Sequence, residues 1–351
     1  MDVAWLTARK IDKDLCATTQ LALANGLVEM GINLVMYSPS NISASSFQHV
    51  QVNRSSIMGL QSSSIVNNLK KHLENIENSD CVIIDWKLSK IAKHIESKCI
   101  IIDRGPPADK GIFSYLQWPA WSRAWRNSSF GCVVSGPHGD FVKKKIPEFN
   151  GRLKILPAGV DTTVFFPREK NDNKIKLVYH GRLDEHRGLP MVLELARLLD
   201  TQSDKFEFHF HGEGKYKEVL ISSKIPNVHV TGNLDQIDLA KRLGGYDIGL
   251  LPMPDQRIWR IASPLKRSEY LASGLVVLGI DHQGNSFEKN HSFMKLFSQE
   301  RFLNQSIDWL MNIDLPNFRK LQTESKIFAE RELQWRVSIQ NLYDLILEIT
   351  S

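Results

Sequence analysis

The chain has 351 residues, enough for two domains of ordinary size. Its composition, 42% hydrophobic and 24% charged, excludes a disordered or low-complexity protein. The net charge of +5 suits an anionic ligand but falls short of a nucleic-acid-binding footprint, and no apolar run approaches the roughly 20 residues of a membrane-spanning helix.

The N-terminus carries no signal-peptide pattern. The cysteines, Cys16, Cys81, Cys99 and Cys132, form no C-x-x-C pair, and three of them sit in apolar strand-like runs. Reduced core thiols in a cytoplasmic setting are the expectation. The N-x-S/T sequons at Asn41, Asn53, Asn127, Asn290 and Asn304 are therefore read as chance.

In chain order, Val3–Thr7 is a strand, Thr19–Met30 a helix ending at Gly31, and Asn33–Tyr37 and Phe47–Val52 are strands. Ile65–Ile76 reads as one helix. Cys81–Asp85 and Cys99–Asp103 are apolar strands ending in carboxylates, and Gly131–Ser135 and Leu153–Pro157 close the first series. A polar linker, Arg168–Asn173, follows. The alternation then restarts with strand Ile175–Tyr179, helix Leu189–Leu199, strand Phe206–His211, helix Tyr216–Ile221, strand Val228–Thr231, helical Leu239–Leu243 and strand Ile248–Pro252. Phe302–Met311, Phe318–Glu330 and Val337–Ile349 are helical. Continuous apolar strands separated by helices predict parallel sheets covered on both faces, with ligands at the carboxyl ends of the strands. Asp85, Asp103 and Ser135 fall at those ends.

The stretch Ile261–Ile280 is the most informative. Ser263 and Pro264 suit a helix start, Ser263 as cap and Pro264 in the first turn. Leu265, Tyr270, Leu271 and Ala272 support a short helix, Gly274 closes it, and Leu275–Leu278 is a buried strand. Lys266 and Glu269 are three residues apart, near one helical face. A helix N-terminus with a lysine suits phosphates, and a carboxylate one turn on suits a ribose diol, so the set fits a nucleoside diphosphate. The bland alternative is a buried αβ unit with a surface ion pair. After the strand ending at Tyr179, the turn His180-Gly-Arg-Leu-Asp-Glu-His-Arg-Gly188 puts Arg182 and Arg187 at a helix start, where guanidinium groups can clamp phosphate. Gly212-Glu213-Gly214 after His211 is a further strand-to-helix turn.

Taken together, these segments resemble the family 4 glycosyltransferases. The resemblance is carried, in order, by Pro157-Ala-Gly-Val-Asp161 with Phe166-Pro167, Gly181-Arg182 through Arg187-Gly188, Gly212-Glu213-Gly214, Val228–Gly232, Tyr246–Pro252 and Ser263–Gly274. It covers residues 153–280 well, the tail more loosely through Trp335 and Tyr343, and the N-terminal half mainly by pattern. The resemblance implies a GT-B fold, α/β, with two doubly wound Rossmann-like domains facing a central cleft and a C-terminal helix crossing back to the first domain. The expected division is 1–165 for the acceptor, 166–333 for the nucleotide sugar, and 334–351 for the returning helix.

By the same resemblance the protein moves a sugar from a nucleotide-diphosphate sugar, a UDP- or GDP-sugar, to a glycan or lipid-linked acceptor with retention, with no bound cofactor or metal and no nucleic-acid partner. Arg182 then stabilises the leaving diphosphate, and Arg187 stands where the family usually has lysine. Glu269 binds the ribose, Gly181, Gly212, Ser263, Pro264 and Leu265 line the donor, and Lys266 lies beside the phosphates. Two departures stand out. Ile261 occupies the position of the family's first glutamate, leaving Asp255, Arg257 and Arg260 as nearby polar groups. Asp103-Arg104-Gly105 replaces the usual N-terminal histidine, so Asp103 is the catalytic candidate of that half, with His138 the nearest alternative.

Tyr115–Arg126 holds Trp118, Trp121 and Trp125 with Arg123 and Arg126, and Lys143-Lys-Lys145 follows. This composition fits either a peripheral contact at the inner face of the membrane or core packing, and core packing is preferred. The rival functional readings are a non-catalytic glycosyltransferase-like subunit and a GT-B epimerase acting on nucleotide sugars.

Overall fold

The computed structural model describes the whole chain except residues 13–16, 43–44, 58, 96–97, 109–111, 171–173 and 203. Cys16 and the end of the expected linker, Asn171–Asn173, lie outside the described residues. The chain divides into two compact units, Met1–Ala158 with Trp335–Ser351, and Gly159–Gln334.

In the first unit the described residues form a seven-stranded sheet, ordered β3-β2-β1-β4-β5-β6-β7. The strands are β1 (Asp2–Leu6), β2 (Asn33–Ser38), β3 (Gln48–Gln51), β4 (Cys81–Asp85), β5 (Lys98–Ile102), β6 (Phe130–Val133) and β7 (Arg152–Ile155). Every pairing is parallel. The helices are α1 (Ala17–Glu29), α2 (Gln61–Leu69), α3 (Leu73–Glu77), α4 (Ile112–Arg126) and α5 (Gly136–Lys145). Because successive strand residues point to opposite faces, β1 serves two cores. Val3 and Trp5 pack with Leu23 and Leu27 of α1 and with Leu342, Leu345 and Ile346 of the last helix. Ala4 and Leu6 pack with Ile65 and Leu69 of α2 and with Leu88 and Ile91. Trp121, Trp125, Val133 and Val142 form a further cluster under α4 and α5.

The second unit has a six-stranded parallel sheet, ordered β10-β9-β8-β11-β12-β13. Its strands are β8 (Ile175–His180), β9 (Phe206–His211), β10 (Val228–Thr231), β11 (Ile248–Leu251), β12 (Val276–Ile280) and β13 (Met294–Phe297). Its helices are α6 (Leu189–Leu198), α7 (Lys217–Ser222), α8 (Gln236–Leu243), α9 (Arg257–Arg260), α10 (Leu265–Ala272), α11 (Phe302–Met311) and α12 (Leu315–Glu332). β11 and β12 are buried along their whole length, as a sheet covered on both faces requires. The last helix, α13 (Trp335–Thr350), belongs to the first unit, where Ser338 Oγ donates to the Pro157 carbonyl (2.7 Å).

Several elements differ from expectation. The helix expected over Ile65–Ile76 is two helices joined by a 3-10 turn at Lys70–His72, with the His72 ring against Tyr37. The strand expected over Gly131–Ser135 stops at Val133, because Ser135 instead caps α5, its Oγ accepting from the His138 amide (3.1 Å). β13 was not foreseen: it is an edge strand, half-exposed throughout, so it lacks a buried run. The first unit ends at Ala158, ahead of residue 165, because Val160 donates to the Leu333 carbonyl and Val160 and Phe165 enter the core of the second unit.

Candidate functional site

In each sheet the strand order reverses beside the first strand, and a doubly wound sheet binds ligands at the carboxyl ends of its strands there. In the second sheet this point lies between β8 and β11. β8 ends at His180, and Gly181 follows in the left-handed region (φ +105°). A Cβ on Gly181 would sit 3.0 Å from Lys266 Nζ, so glycine lets the lysine lie against the strand end. Gly212, after β9, packs on Gly181 from the other side (φ +146°), and a Cβ there would overlap the Gly181 carbonyl oxygen.

α10 starts at Leu265, one residue later than the sequence suggests. Pro264 itself is the capping residue, and its side chain offers no acceptor. Ser263 stands one position before it. Gly274 closes the helix as expected, with φ +73°. Arg267 to Ala272 are all buried, which corrects the idea of a surface ion pair on this helix.

Lys266 lies with its ammonium 5.3 Å from the Tyr179 ring centroid. Burial and then the Arg187 charge push its pKa down to about 8, against the pull of Glu269. Two cations close enough to disfavour each other are poised for an anion between them. Arg187 stacks on Trp259, 5.2 Å from the ring centroid, and its Nε is buried without a hydrogen-bond partner. Gly188 follows in the left-handed conformation and lets the chain pass against the Pro252 carbonyl, where a Cβ would collide.

Glu269 is buried, with Oε2 3.1 Å from His180 Nε2, yet neither atom completes a hydrogen bond. Burial lowers the His180 pKa despite Glu269, so the ring is neutral near pH 7. The sequence did not single out His180. Its only signal is its place as the last residue of β8. Arg267, also not foreseen, is structural: its guanidinium donates to the carbonyls of Gly284 (3.2 Å) and Ser286 (2.6 Å) and lies 4.0 Å from the Phe287 centroid.

Arg182 is not gathered into this group. Its Nε pairs with Asp184 Oδ2 at 3.1 Å, and its side chain is half-exposed. Ile261 is buried, and the neighbouring Asp255 and Arg260 bind each other through two hydrogen bonds.

In the first unit, Asp103 is completely buried. Its Oδ2 accepts from the indole N–H groups of Trp121 (2.6 Å) and Trp125 (3.0 Å), and its Oδ1 from the Gly105 amide (2.9 Å). His138 Nε2 lies 3.4 Å from Oδ2. Burial raises the Asp103 pKa, but the His138 charge and the hydrogen bonds from His138, Trp121 and Trp125 together outweigh it, and the carboxyl is held below its ordinary value. Asp103 thus fixes two tryptophans and the Arg104–Gly105 turn. Trp121 and Trp125 are core residues, as the packing alternative expected, and are not available to a lipid surface. Among the described residues, no helix is long and apolar enough to cross a membrane.

Cys81 and Cys132 are buried and Cys99 is half-buried, and none of the three is in a disulfide. Burial raises each thiol, Cys81 to about 12 and Cys99 to about 11, so they are poor nucleophiles. No metal-ligand motif is visible in the sequence, yet the pairing of β9 with β10 brings ligand atoms of Glu207, His209 and His229 within 4.8 Å of one another. Glu207 is already engaged by Lys174 (3.0 Å).

Residues 174–310 match the family described as glycosyl transferases group 1. No curated protein sequence matches the chain. Among solved structures, the chain is similar to sucrose-phosphate synthase from Thermosynechococcus elongatus, at 13% identity and TM-score 0.82 over 99% of both chains. It is similar to WaaG, a glycosyltransferase involved in lipopolysaccharide biosynthesis, at 16% identity and TM-score 0.72 over 99% of this chain and 98% of that one. Anabaena HepE, solved with UDP-glucose, aligns at 12% identity and TM-score 0.70 over 99% of this chain and all of that one. The fold is that of the GT-B glycosyltransferases, and the residues that match the group 1 family lie in the second unit.

Proposed function

We propose that the protein transfers a sugar, with retention, from a UDP- or GDP-sugar held by the second unit, Gly159–Gln334, to a glycan or lipid-linked acceptor held by the first unit. The observation that carries this reading is the convergence of Lys266, Arg187 and Glu269, whose Oε2 has His180 beside it but completes no hydrogen bond, at the end of β8 and the start of α10. Breaking a glycosyl–phosphate bond builds negative charge on the departing diphosphate while the sugar becomes oxocarbenium-like. Lys266 and Arg187, fixed in advance and partly desolvated, are placed to take up that charge, and such preorganised electrostatics is commonly the largest catalytic term. Glu269 accepts from the ribose hydroxyls, which gives its Oε2 the hydrogen bond that the protein does not complete. Gly181, Gly212, Ser263, Pro264 and Leu265 shape the phosphate-facing backbone. Arg182 reaches the diphosphate by exchanging Asp184 for phosphate oxygens. Asp103 acts as a positioning residue, through Trp121, Trp125 and the following turn. No bound cofactor takes part in this reading.

A thermal-shift series with UDP, GDP, ADP and TDP tests it, because a ligand that binds only the folded state raises Tm. One nucleotide is expected to stand out. Glu269→Ala is expected to weaken that nucleotide at least tenfold, and unchanged affinity by calorimetry sinks the site. Arg182→Ala is expected to lower kcat more than it raises KM. A stabilising nucleotide with no sugar transfer and no slow donor hydrolysis would favour the non-catalytic reading instead, which the missing first glutamate at position 261 motivates.

A further inference from the structure

β10 is an edge strand of the second sheet and pairs in parallel with β9, with His229 directly opposite His209. Residues opposite each other on neighbouring strands point to the same face, and residues two apart on one strand share a face as well. Glu207, His209 and His229 therefore stand on one face, although no motif in the sequence links them. That face is polar here, where a sheet covered on both sides is ordinarily apolar. Ligand atoms of the three side chains all lie within 4.8 Å of one another. Glu207 Oε2 and His209 Nε2 are 3.4 Å apart, long for a hydrogen bond. Two ligand atoms of a tetrahedral zinc ion sit about 3.4 Å apart, since its arms are about 2.0–2.2 Å. Glu207 Oε1 accepts from Lys174 Nζ (3.0 Å), which fixes the carboxylate and leaves Oε2 to the ion, as outer partners of metal-binding carboxylates do. The His229 ring is stacked on His209, 4.8 Å between centroids, and has to turn out of the stack to aim a nitrogen at the ion. It is exposed, so a change of rotamer achieves this without repacking. His211, next along the same face, is not a further ligand. Its Nδ1 is 2.6 Å from the Thr231 hydroxyl and its Nε2 2.8 Å from that of Tyr246. The charges of Lys174 and Lys176 oppose a dication, so binding is expected to be weaker than at a closed structural zinc site.

We infer that Glu207, His209 and His229 bind one divalent transition-metal ion of the zinc class, with water completing its shell. Two imidazoles and one carboxylate suit Zn²⁺, Co²⁺ and Ni²⁺, whereas Mg²⁺ and Ca²⁺ prefer oxygen ligands alone. The ion ties the edge strand β10 to β9, and none of its ligands belongs to the donor site.

The test is calorimetry on the full chain, freed of metal and of any polyhistidine tag, titrated with Zn²⁺, Co²⁺ and Mg²⁺. Wild type is expected to take up one equivalent of Zn²⁺ or Co²⁺, with a rise in Tm, and no Mg²⁺. Bound Co²⁺ is expected to show the visible absorption of a low-coordinate site. His229→Gln, which changes an exposed residue and leaves the core intact, is expected to weaken Zn²⁺ at least tenfold and to lose the Co²⁺ band. His209→Gln and Glu207→Gln are expected to do the same. His94→Gln, at an exposed histidine of the first unit, is expected to bind as wild type does. Should His209→Gln fail to fold by circular dichroism, His229→Gln and Glu207→Gln decide. The inference is overturned if wild type takes up no equivalent of Zn²⁺, if Mg²⁺ binds as well as Zn²⁺, or if His229→Gln and Glu207→Gln keep wild-type affinity. It is also overturned if His94→Gln weakens binding as much as they do, which means adventitious uptake by surface histidines. His229→Gln is expected to bind UDP or GDP as wild type does, so failure of the donor reading leaves this test untouched.

Discussion

Lys266 combines two opposing demands. Burial and Arg187 hold its pKa near 8, below the ordinary lysine value of about 10.4. Between those two pH values the unfolded chain binds more protons than the folded one, so this group makes the free protein more stable as pH rises through that window. An anion needs the protonated form, so the Tm rise given by UDP or GDP is expected to shrink over the same window. Scanning Tm from pH 7 to 10 with and without nucleotide checks both signs. Lys266→Met is expected to remove the pH dependence, raise the Tm of the free protein and weaken nucleotide at least tenfold. The spacing of Lys266 and Glu269 was legible in the sequence because a single helix sets it. His180 was not, because it meets Glu269 only through the packing of α10 on the sheet. The partners of Asp103 were hidden for the same reason: Trp121 and Trp125 are one helical turn apart on α4, but nothing local says that a carboxylate on the preceding strand end receives both indoles.

Elements with buried faces on both sides were read correctly, because unbroken apolar runs such as Cys81–Asp85 and Val276–Ile280 have few alternatives to a parallel-sheet core. Those that escaped notice are the ones with mixed surfaces: β13 at an edge, α5 behind a turn-like Ser-Gly-Pro start, and the 3-10 segment Trp86–His94. The unit of α4 and α5 with the end of β5 depends on one carboxylate. Asp103→Ala strips the acceptor from two buried indole N–H groups, each costing about 1–3 kcal/mol when left unsatisfied. The expected result is a loss of roughly 2–6 kcal/mol in the stability of the first unit, with nucleotide binding by the second unit unchanged. Denaturant titration followed by tryptophan fluorescence, paired with nucleotide calorimetry, measures both. Full stability of this variant with lost turnover would instead make Asp103 a direct participant in the reaction.

At the scale of the whole molecule, two rounds of αβ alternation and a helical tail were visible in the sequence, and the family resemblance put the returning helix from residue 334, within one residue of Trp335, but the first passage, expected at 165, lies at Ala158. The passage depends on pairings far apart in sequence, Val160 with Leu333 and Ser338 with Pro157. α13 contributes Leu342, Leu345, Ile346 and Ile349 to the core around β1 and α1. Burying four such side chains is worth roughly 6–12 kcal/mol, comparable to the whole stability of a domain. Ending the chain after Gln334 is therefore expected to unfold the first unit and leave the second folded. Limited proteolysis should then yield a resistant fragment near 159–334, and a stable truncated first unit would contradict the assignment.

The discontinuity of the first unit also orders its birth. Residues 1–158 leave the ribosome early, but the helix that covers Leu23, Leu27 and Trp5 is translated only after all of Gly159–Gln334. The second unit can mature while the first still shows an oily flank. In a nascent chain of this design that flank stays uncovered through the whole interval between β7 and α13.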